Sequence, residues 1–371
     1  MVILKKLTVV ITGFILSACV NAQPATNMGT EFWVAFPPNQ GIAEISLFIS
    51  SDVATSGTIF SEYPGVNQPF TVTPGIVTQI VLPAGIVQSD GIESKGIRVT
   101  SAEPVAVYGL NRKTASTDAY MALPVTSLGL EYRVLAYKVT YNYNPSALSV
   151  VATQESTTLS VFNKQTGSTT VVNLEEGQTY LLSNSGIGED ISGSTVSSNH
   201  PVTVFGAVKI TTVPDNTCTA ADHIVEQMMP LESWGREFVT VPTAGRDGSG
   251  DLFRVLAHLP GTQVSVNGSV VATLGAGEFY QAILTGYNQI SATEPVMVAQ
   301  YAKGMTCSGG TIGDPFMMII PPREQFLTQY TVTTVSGFTS HWVNLVASEL
   351  SLGDRKSVVG KSVDLGGRRI I

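Results

Sequence analysis

Charged residues are scarce in this sequence. Asp, Glu, Lys and Arg together make up 13% of its 371 residues, and the formal net charge is −8. A surface that binds nucleic acid or an anionic membrane needs clustered Lys and Arg side chains opposite the phosphates. The composition therefore predicts no nucleic-acid partner, and contact with a membrane only through a lipid anchor.

Histidine is also rare, and the common sequence motifs of catalysis are missing. The four histidines lie outside any Gly-x-Ser-x-Gly context, and no Gly-x-Gly-x-x-Gly or Walker motif occurs. Nucleophilic catalysis requires a nucleophile, a base and a residue that orients the base. We therefore expect a protein that is not an enzyme, with no catalytic residues and no cofactor. A hydrolase with an unrecognised site is the alternative.

Long amphipathic helix patterns are absent as well. Thr, Val, Ser and Gly dominate, and short β-rich runs alternate with Gly, Pro and Asn. Such runs are typical of short strands joined by turns. The length allows two or three domains with cores of their own. The sequence thus predicts an all-β fold.

The amino terminus has the pattern of an export signal. Lys5 and Lys6 precede an apolar stretch that is too short to span a bilayer, so we interpret residues 1–22 as a signal peptide. Two cleavage sites compete. A lipobox ending at Cys19 would make that cysteine the lipidation site, whereas ordinary cleavage would release a chain that starts at Gln23. Both predict an exported protein, secreted or on the outer cell surface.

The carboxyl terminus departs from the rest of the composition. Residues 354–371 resemble a translated sequencing adapter, and we set them aside from the fold. The native chain is then expected to have been cut short near residue 353.

Two patterns recur about every hundred residues. Proline starts a Pro-Val-x-Val-like run at Pro104, Pro201 and Pro295, with spacings of 97 and 94 residues. A Gly-x-Glu-aromatic pattern begins at Gly29, Gly129 and Gly235. Such internal periods indicate a tandem-repeat architecture. We expect β repeats at 23–125, 126–231 and 232–322, followed by the start of a fourth unit at 323–353.

Each repeat holds enough short β-rich runs for a small sandwich. The second repeat contains seven of them, which favours three tandem β-sandwich-like units. A β-propeller-like closed ring is the alternative. We predict that the recurring proline starts a core strand, because proline lacks the amide that an interior strand position would use.

The loops after these strands contain the candidate site residues. Asp118, Asp222 and Asp314 are read as equivalent positions of the repeats, where they either cap turns or gather around a cation such as calcium. Cys218 and Cys307 lie in two of these loops, and we predict that they form a disulfide. Such a bridge would link two units whose loops converge on a pseudo-threefold axis.

The second loop also carries the most specific motif of the chain. The segment 218–242 resembles the IgGFc-binding protein N-terminal domain family through Asp222, His223, Glu226, Gln227, Pro230, Trp234 and Gly235. His223 and Glu226 are also three residues apart, within reach of one metal ion if that stretch is helical. We favour a structural role for His223.

The resemblance implies a bacterial, exported member of the family. It implies a non-enzymatic cell-surface binding or adhesion module whose partner is an extracellular protein or glycan. A structural scaffold that presents a missing carboxyl-terminal domain is the alternative.

Overall fold

The computed structural model describes residues 27–41, 44–141, 144–244, 246, 248–309, 313–327 and 342–347, together with the backbone of 363–364. The predicted signal peptide and Cys19 lie outside these residues. Within them, the chain forms strands and short 3-10 turns, which confirms the all-β prediction. No helix in the described ranges has the length and apolar character needed to cross a membrane.

The first unit is an antiparallel sheet wound around one long strand. Its strands are β1 (Met28–Val34), β2 (Glu44–Ser50), β3 (Thr55–Phe60), β4 (Asn67–Val72), β5 (Thr78–Leu82), β6 (Gly91–Glu93), β7 (Ile97–Lys113) and β8 (Ser116–Met121). The sheet order is β4-β3-β7-β2-β5, and β1 and β8 also pair with β7.

The second unit repeats this plan. Its strands are β9 (Gly129–Arg133), β10 (Ser146–Ala152), β11 (Thr157–Asn163), β12 (Ser168–Leu174), β13 (Thr179–Asn184), β14 (Thr195–Thr212) and β15 (Ala221–Gln227). The order β12-β11-β14-β10-β13 matches the first sheet, with β9 and β15 again on the long strand. Strand β6, contributed by the first unit, extends this sheet beyond β13.

The third unit follows the same order. Its strands are β16 (Gly235–Thr240), β17 (Asp251–Ala257), β18 (Thr262–Val266), β19 (Ser269–Leu274), β20 (Phe279–Leu284), β21 (Asn288–Tyr301) and β22 (Met317–Ile320). Beyond it, β23 (Trp342–Val343) pairs with β24 (Val363–Asp364). Three tandem sandwich-like units are therefore confirmed. Strand β24 lies in the segment 354–371 that we had set aside from the fold.

The recurring proline lies inside the long strand of each unit, so the prediction that it starts the strand is wrong. In β14, Thr195–Ser198 pair with β11, and from Val202 onward the strand pairs with β10. The register against β9 shifts between Ser197 and Val202, the stretch that contains Pro201. Because proline lacks an amide proton, it is tolerated at such a bulge, where the strand changes neighbours.

Each unit helps to close the core of the unit before it. Successive side chains of a strand point to opposite faces. In β10, Val150 packs into its own unit's core, whereas Val151 packs into the core of the first unit. In β17, Val255 packs into its own core, whereas Leu256 packs into the core of the second unit. The units therefore share buried apolar surface, at about 1.5–3 kcal/mol per buried large side chain.

A close glycine–proline contact recurs in every unit. A Cβ added to Gly29 would lie 2.3 Å from the Cβ of Pro124. The same measurement gives 2.6 Å for Gly129 against Pro230 and 2.2 Å for Gly235 against Pro322. Each of these prolines precedes a 3-10 turn, at Val125–Ser127, Leu231–Ser233 and Arg323–Gln325. The glycines that define the repeat in the sequence are thus required by packing.

Candidate functional site

The predicted site residues lie where three equivalent edge strands, β8, β15 and β22, come together. Oδ1 of Asp222 accepts a hydrogen bond from the amide of Thr117 at 2.6 Å. In return, Oδ2 of Asp118 accepts one from the amide of Val225 at 2.9 Å. Side chains of each strand thus satisfy free amides of the neighbouring unit, as buried backbone groups require.

Two further side chains of β15 continue this exchange. Oε1 of Gln227 accepts a hydrogen bond from the amide of Leu123 in the first unit at 3.0 Å. Glu226 accepts one from the backbone of Ile319 in the third unit. The second unit's motif therefore binds backbone groups of both neighbours.

Burial shifts the protonation of these carboxyl groups. It raises the pKa of Asp118 well above its usual range, although the backbone amide of Val225 opposes the shift. Burial also raises the pKa of Asp222 to about 7, again against hydrogen bonds that favour the charged form. The pKa of Asp314 is raised by burial and lowered in part by Arg246. Removal from water is therefore the dominant effect at all three aspartates.

The three aspartates do not occupy equivalent positions, so that part of the prediction is wrong. Asp222 lies eight residues before Pro230, whereas Asp118 lies only six residues before Pro124. Ser116 therefore takes the place of Asp222 in the first unit, and its hydroxyl forms a hydrogen bond with the Asp222 side chain. The strand registers agree, because Asp118 pairs with Asn111 of β7, whereas the counterpart of Asn111 in β14, Val208, pairs with Ile224 and not with Asp222.

The cation hypothesis gains no support from the arrangement of these side chains. The part of the chain that the structure describes has no group of three or more His, Cys, Asp or Glu side chains placed to hold a metal ion. The oxygens of Asp118 and Asp222 instead accept hydrogen bonds from backbone amides. Calcium binding stays a hypothesis for experiment.

His223 is buried and hydrogen-bonded to the neighbouring strand. Its Nδ1 lies 2.8 Å from the carbonyl oxygen of Val208, and the geometry makes this nitrogen the donor. Burial lowers the pKa of His223 to about 4, so the ring is neutral near pH 7. The segment is strand and not helix. Since side chains three apart on a strand point to opposite faces, His223 and Glu226 do not share a metal.

The predicted disulfide is present and joins the second and third units. Cys218 and Cys307 are bonded, with their Cα atoms 5.5 Å apart and a sequence separation of 89. The adjacent amide of Thr219 donates a hydrogen bond to the hydroxyl of Thr306 at 2.9 Å. Closing a loop of that length stabilises the folded chain by about 4–5 kcal/mol in the chain-entropy account.

The remaining motif residues pack where the second and third units meet and within the third unit itself. The indole Nε1 of Trp234 donates a hydrogen bond to the carbonyl of Met229 at 3.2 Å, and its ring meets the ring of His258 edge-on. Gly235 lies against Pro322 with no room for a side chain. The family motif thus builds the contacts between units. Of these residues, Pro230 also lines an open groove.

A buried arginine that the sequence analysis missed also links the second and third units. Arg254 of β17 is 1% exposed, and its guanidinium lies 2.8 Å from the carboxylate of Asp190 in the second unit. It donates a hydrogen bond to the carbonyl of Ala136 at 2.9 Å and stacks 4.3 Å from the ring centroids of Tyr137 and Phe279. The only signal in the sequence is a charged residue that interrupts the apolar run Leu252–Ala257.

Two concave surfaces are open to a ligand. A groove of about 510 Å³ lies beside the first 3-10 turn of the second unit and is lined by Thr126, Ser127, Leu128, Gly129, Leu130, Asn199, Pro201, Pro230, Glu232 and Ser233. An apolar cavity of about 300 Å³ lies in the third unit between β16 and β22. Neither contains the aspartates of the motif.

The sequence is similar to known proteins of one family. The profile of the IgGFc binding protein family matches residues 118–365. The IgGFc-binding protein of Homo sapiens is 27% identical over 361 residues, which cover 90% of this chain. The chain spans about 6% of the length of that protein.

A comparison with solved structures gives a distant match. The alpha-L-rhamnosidase of Streptomyces avermitilis, solved with L-rhamnose, covers 76% of this chain and 43% of its own at 10% identity, with a TM-score of 0.17. This likeness is too low to carry an argument. The family match covers more than half of the chain and includes the motif at the unit contacts, so this chain belongs to the IgGFc-binding protein family.

Proposed function

We propose that this chain is an exported cell-surface module that binds an extracellular protein and catalyses no reaction. The family to which it belongs supports a binding role. Its motif residues already serve the contacts between units, which leaves the outer strands and loops as the recognition surface.

The character of the exposed apolar residues is the observation that carries this proposal. Among the described residues, eighteen large apolar side chains are exposed, and only four of them are aromatic: Phe60, Tyr141, Tyr287 and Trp342. The rest are aliphatic or methionine and include Val171, Val270, Val271 and Ile283 on strands at or near the sheet edges. Contiguous exposed apolar patches mark sites of protein interaction, whereas single exposed residues are common on any surface. The aliphatic majority favours a protein over a glycan.

A capture experiment tests this function. The purified chain is immobilised and exposed in parallel to a mixture of extracellular proteins, to the Fc fragment of immunoglobulin G and to a glycan array. We expect saturable capture of a protein and no binding on the glycan array. Binding to glycans alone would refute the proposal.

The second candidate is a structural scaffold. The disulfide, the buried Arg254 and the exchanged hydrogen bonds lock the units together, as a rigid spacer requires. The absence of binding to any protein or glycan in the capture experiment would favour the scaffold.

A further inference from the structure

The contact between the first and second units contains an added strand. Residues Gly91–Glu93 of the first unit, strand β6, pair antiparallel with residues 179–181 of β13. The hydroxyl of Ser183 donates a hydrogen bond to Asp90 at 2.9 Å. The amide of Gly96 completes the junction by donating a hydrogen bond to the carbonyl of Gly177 at 3.0 Å. One unit thus supplies a strand to the open edge of the next.

The corresponding segment at the next contact takes a different path. Residues 188–190 follow Gly91–Glu93 by 97 residues, the same spacing as Pro104 to Pro201. They do not reach β20, the counterpart of β13. Gly188 and Glu189 instead exchange backbone hydrogen bonds of 2.8 Å with Val139. Asp190 is held by its ion pair with Arg254.

The outer edge of β20 is therefore left without a strand partner in the described part of the chain. β20 pairs with β17 and ends the sheet on that side. Its exposed face presents Gln281 and Ile283, and Ile283 is 46% exposed. Tyr287, just past the strand, is 65% exposed. An unpaired edge with apolar side chains is a template for strand addition.

We propose that the edge of β20 binds an extended segment of a protein partner, which adds as an antiparallel strand in the place that β6 takes on β13. The inference rests on the proposed protein-binding function and names its surface. Backbone hydrogen bonds to β20 hold the segment. Apolar side chains of the partner cover Ile283 and Tyr287, which the described residues leave 46% and 65% exposed.

The strand that already fills the equivalent edge supplies a probe. A fluorescent peptide with the sequence of residues 86–97 is titrated into the full chain, and binding is followed by anisotropy and by hydrogen exchange. We expect saturable binding together with slowed exchange of alternate amides in Phe279–Leu284. The same peptide with N-methylated alternate amides should bind at least tenfold more weakly, because it cannot form the ladder.

Two lysine variants locate the site. Ile283→Lys places a charge on the β20 edge and should weaken peptide binding at least tenfold. Gln263→Lys, exposed on β18, which is paired on both sides within the same sheet, is the matched control and should leave binding unchanged. Absence of saturable binding, protection elsewhere than in β20, or equal affinity of the Ile283→Lys variant would overturn the inference.

The capture and peptide-binding experiments together distinguish failure of the β20 site from failure of the proposed protein-binding function. A partner protein captured equally by the original chain and by Ile283→Lys would support protein binding while refuting the β20 edge as its site. Peptide binding at β20 with no protein captured would support the edge and count against the wider function.

Discussion

The buried Arg254 offers the sharpest test of how the units are held together. Replacing it with methionine keeps most of the side-chain volume but removes the guanidinium. The carboxylate of Asp190, whose side chain is 15% exposed, then loses its partner at 2.8 Å. The carbonyl of Ala136 loses a donor as well. Breaking a buried ion pair on one side costs about 3–5 kcal/mol, and we expect Arg254→Met to lower the free energy of unfolding by that amount.

A second arginine, exposed where Arg254 is buried, serves as the control that separates the effect of burial from the effect of losing a charge. Arg236 forms an ion pair of similar length, 2.9 Å, with Glu294, but the two side chains are 51% and 40% exposed. Solvent screens such a pair, so Arg236→Met should cost less than about 1 kcal/mol. Urea unfolding followed by tryptophan fluorescence measures both variants. Adding Asp190→Asn to Arg254→Met should recover part of the loss, because no unpaired carboxylate then remains. A loss below 1 kcal/mol for Arg254→Met, or equal losses for the two arginines, would refute the reasoning.

Three further predictions concern the packing within and between units. Gly129→Ala should destabilise the chain by about 1–3 kcal/mol in urea unfolding, since the new Cβ would lie 2.6 Å from Pro230, and an unchanged midpoint would contradict this packing. Because folding raises the pKa of Asp222 from 3.8 to about 7, its contribution to stability is complete below pH 4 and is lost as the pH rises through 7. The free energy of unfolding of Asp222→Asn should fall less over this pH range than that of the original chain. Parallel profiles of unfolding free energy against pH would count against the raised pKa of Asp222. Replacing Cys218 and Cys307 together with serine should cost about 2–5 kcal/mol, and a thermal midpoint equal to that of the oxidised chain would disprove this role of the bridge.

Calcium provides a fifth test, at the aspartates themselves. The carboxylate oxygens of Asp118 and Asp222 accept hydrogen bonds from backbone amides and are therefore already occupied. We expect no heat of calcium binding in calorimetry and no rise in the thermal midpoint when calcium is added. A stoichiometric heat that disappears in Asp222→Asn would revive the cation hypothesis.

The repeat and its packing could be read from the sequence because they depend on local chemistry. Glycine at Gly129 and proline at Pro230 are required by a contact that only these residues fit, so their spacing marks the unit. The disulfide followed from two cysteines in equivalent loops, since the repeats bring such loops together.

Other features depend on pairings that the sequence does not reveal. The polar residues before Pro201 are typical of a turn, yet they continue β14, because this half of the strand lies on the surface against β11. Asp118 and Asp222 each precede a largely apolar run that ends in proline, and only the strand registers show that they differ in position by two residues. Arg254 and Asp190 lie on different units, and only the fold shows that they meet.

The central claim is that the family motif holds the units together while the outer strands recognise a protein. Crosslinking mass spectrometry on the captured complex tests it most directly. The account predicts that the partner is linked to residues of the outer edge strands, such as those of β19 and β20. Crosslinks to the partner that are confined to residues Asp222–Gly235, with none on the outer strands, would contradict it.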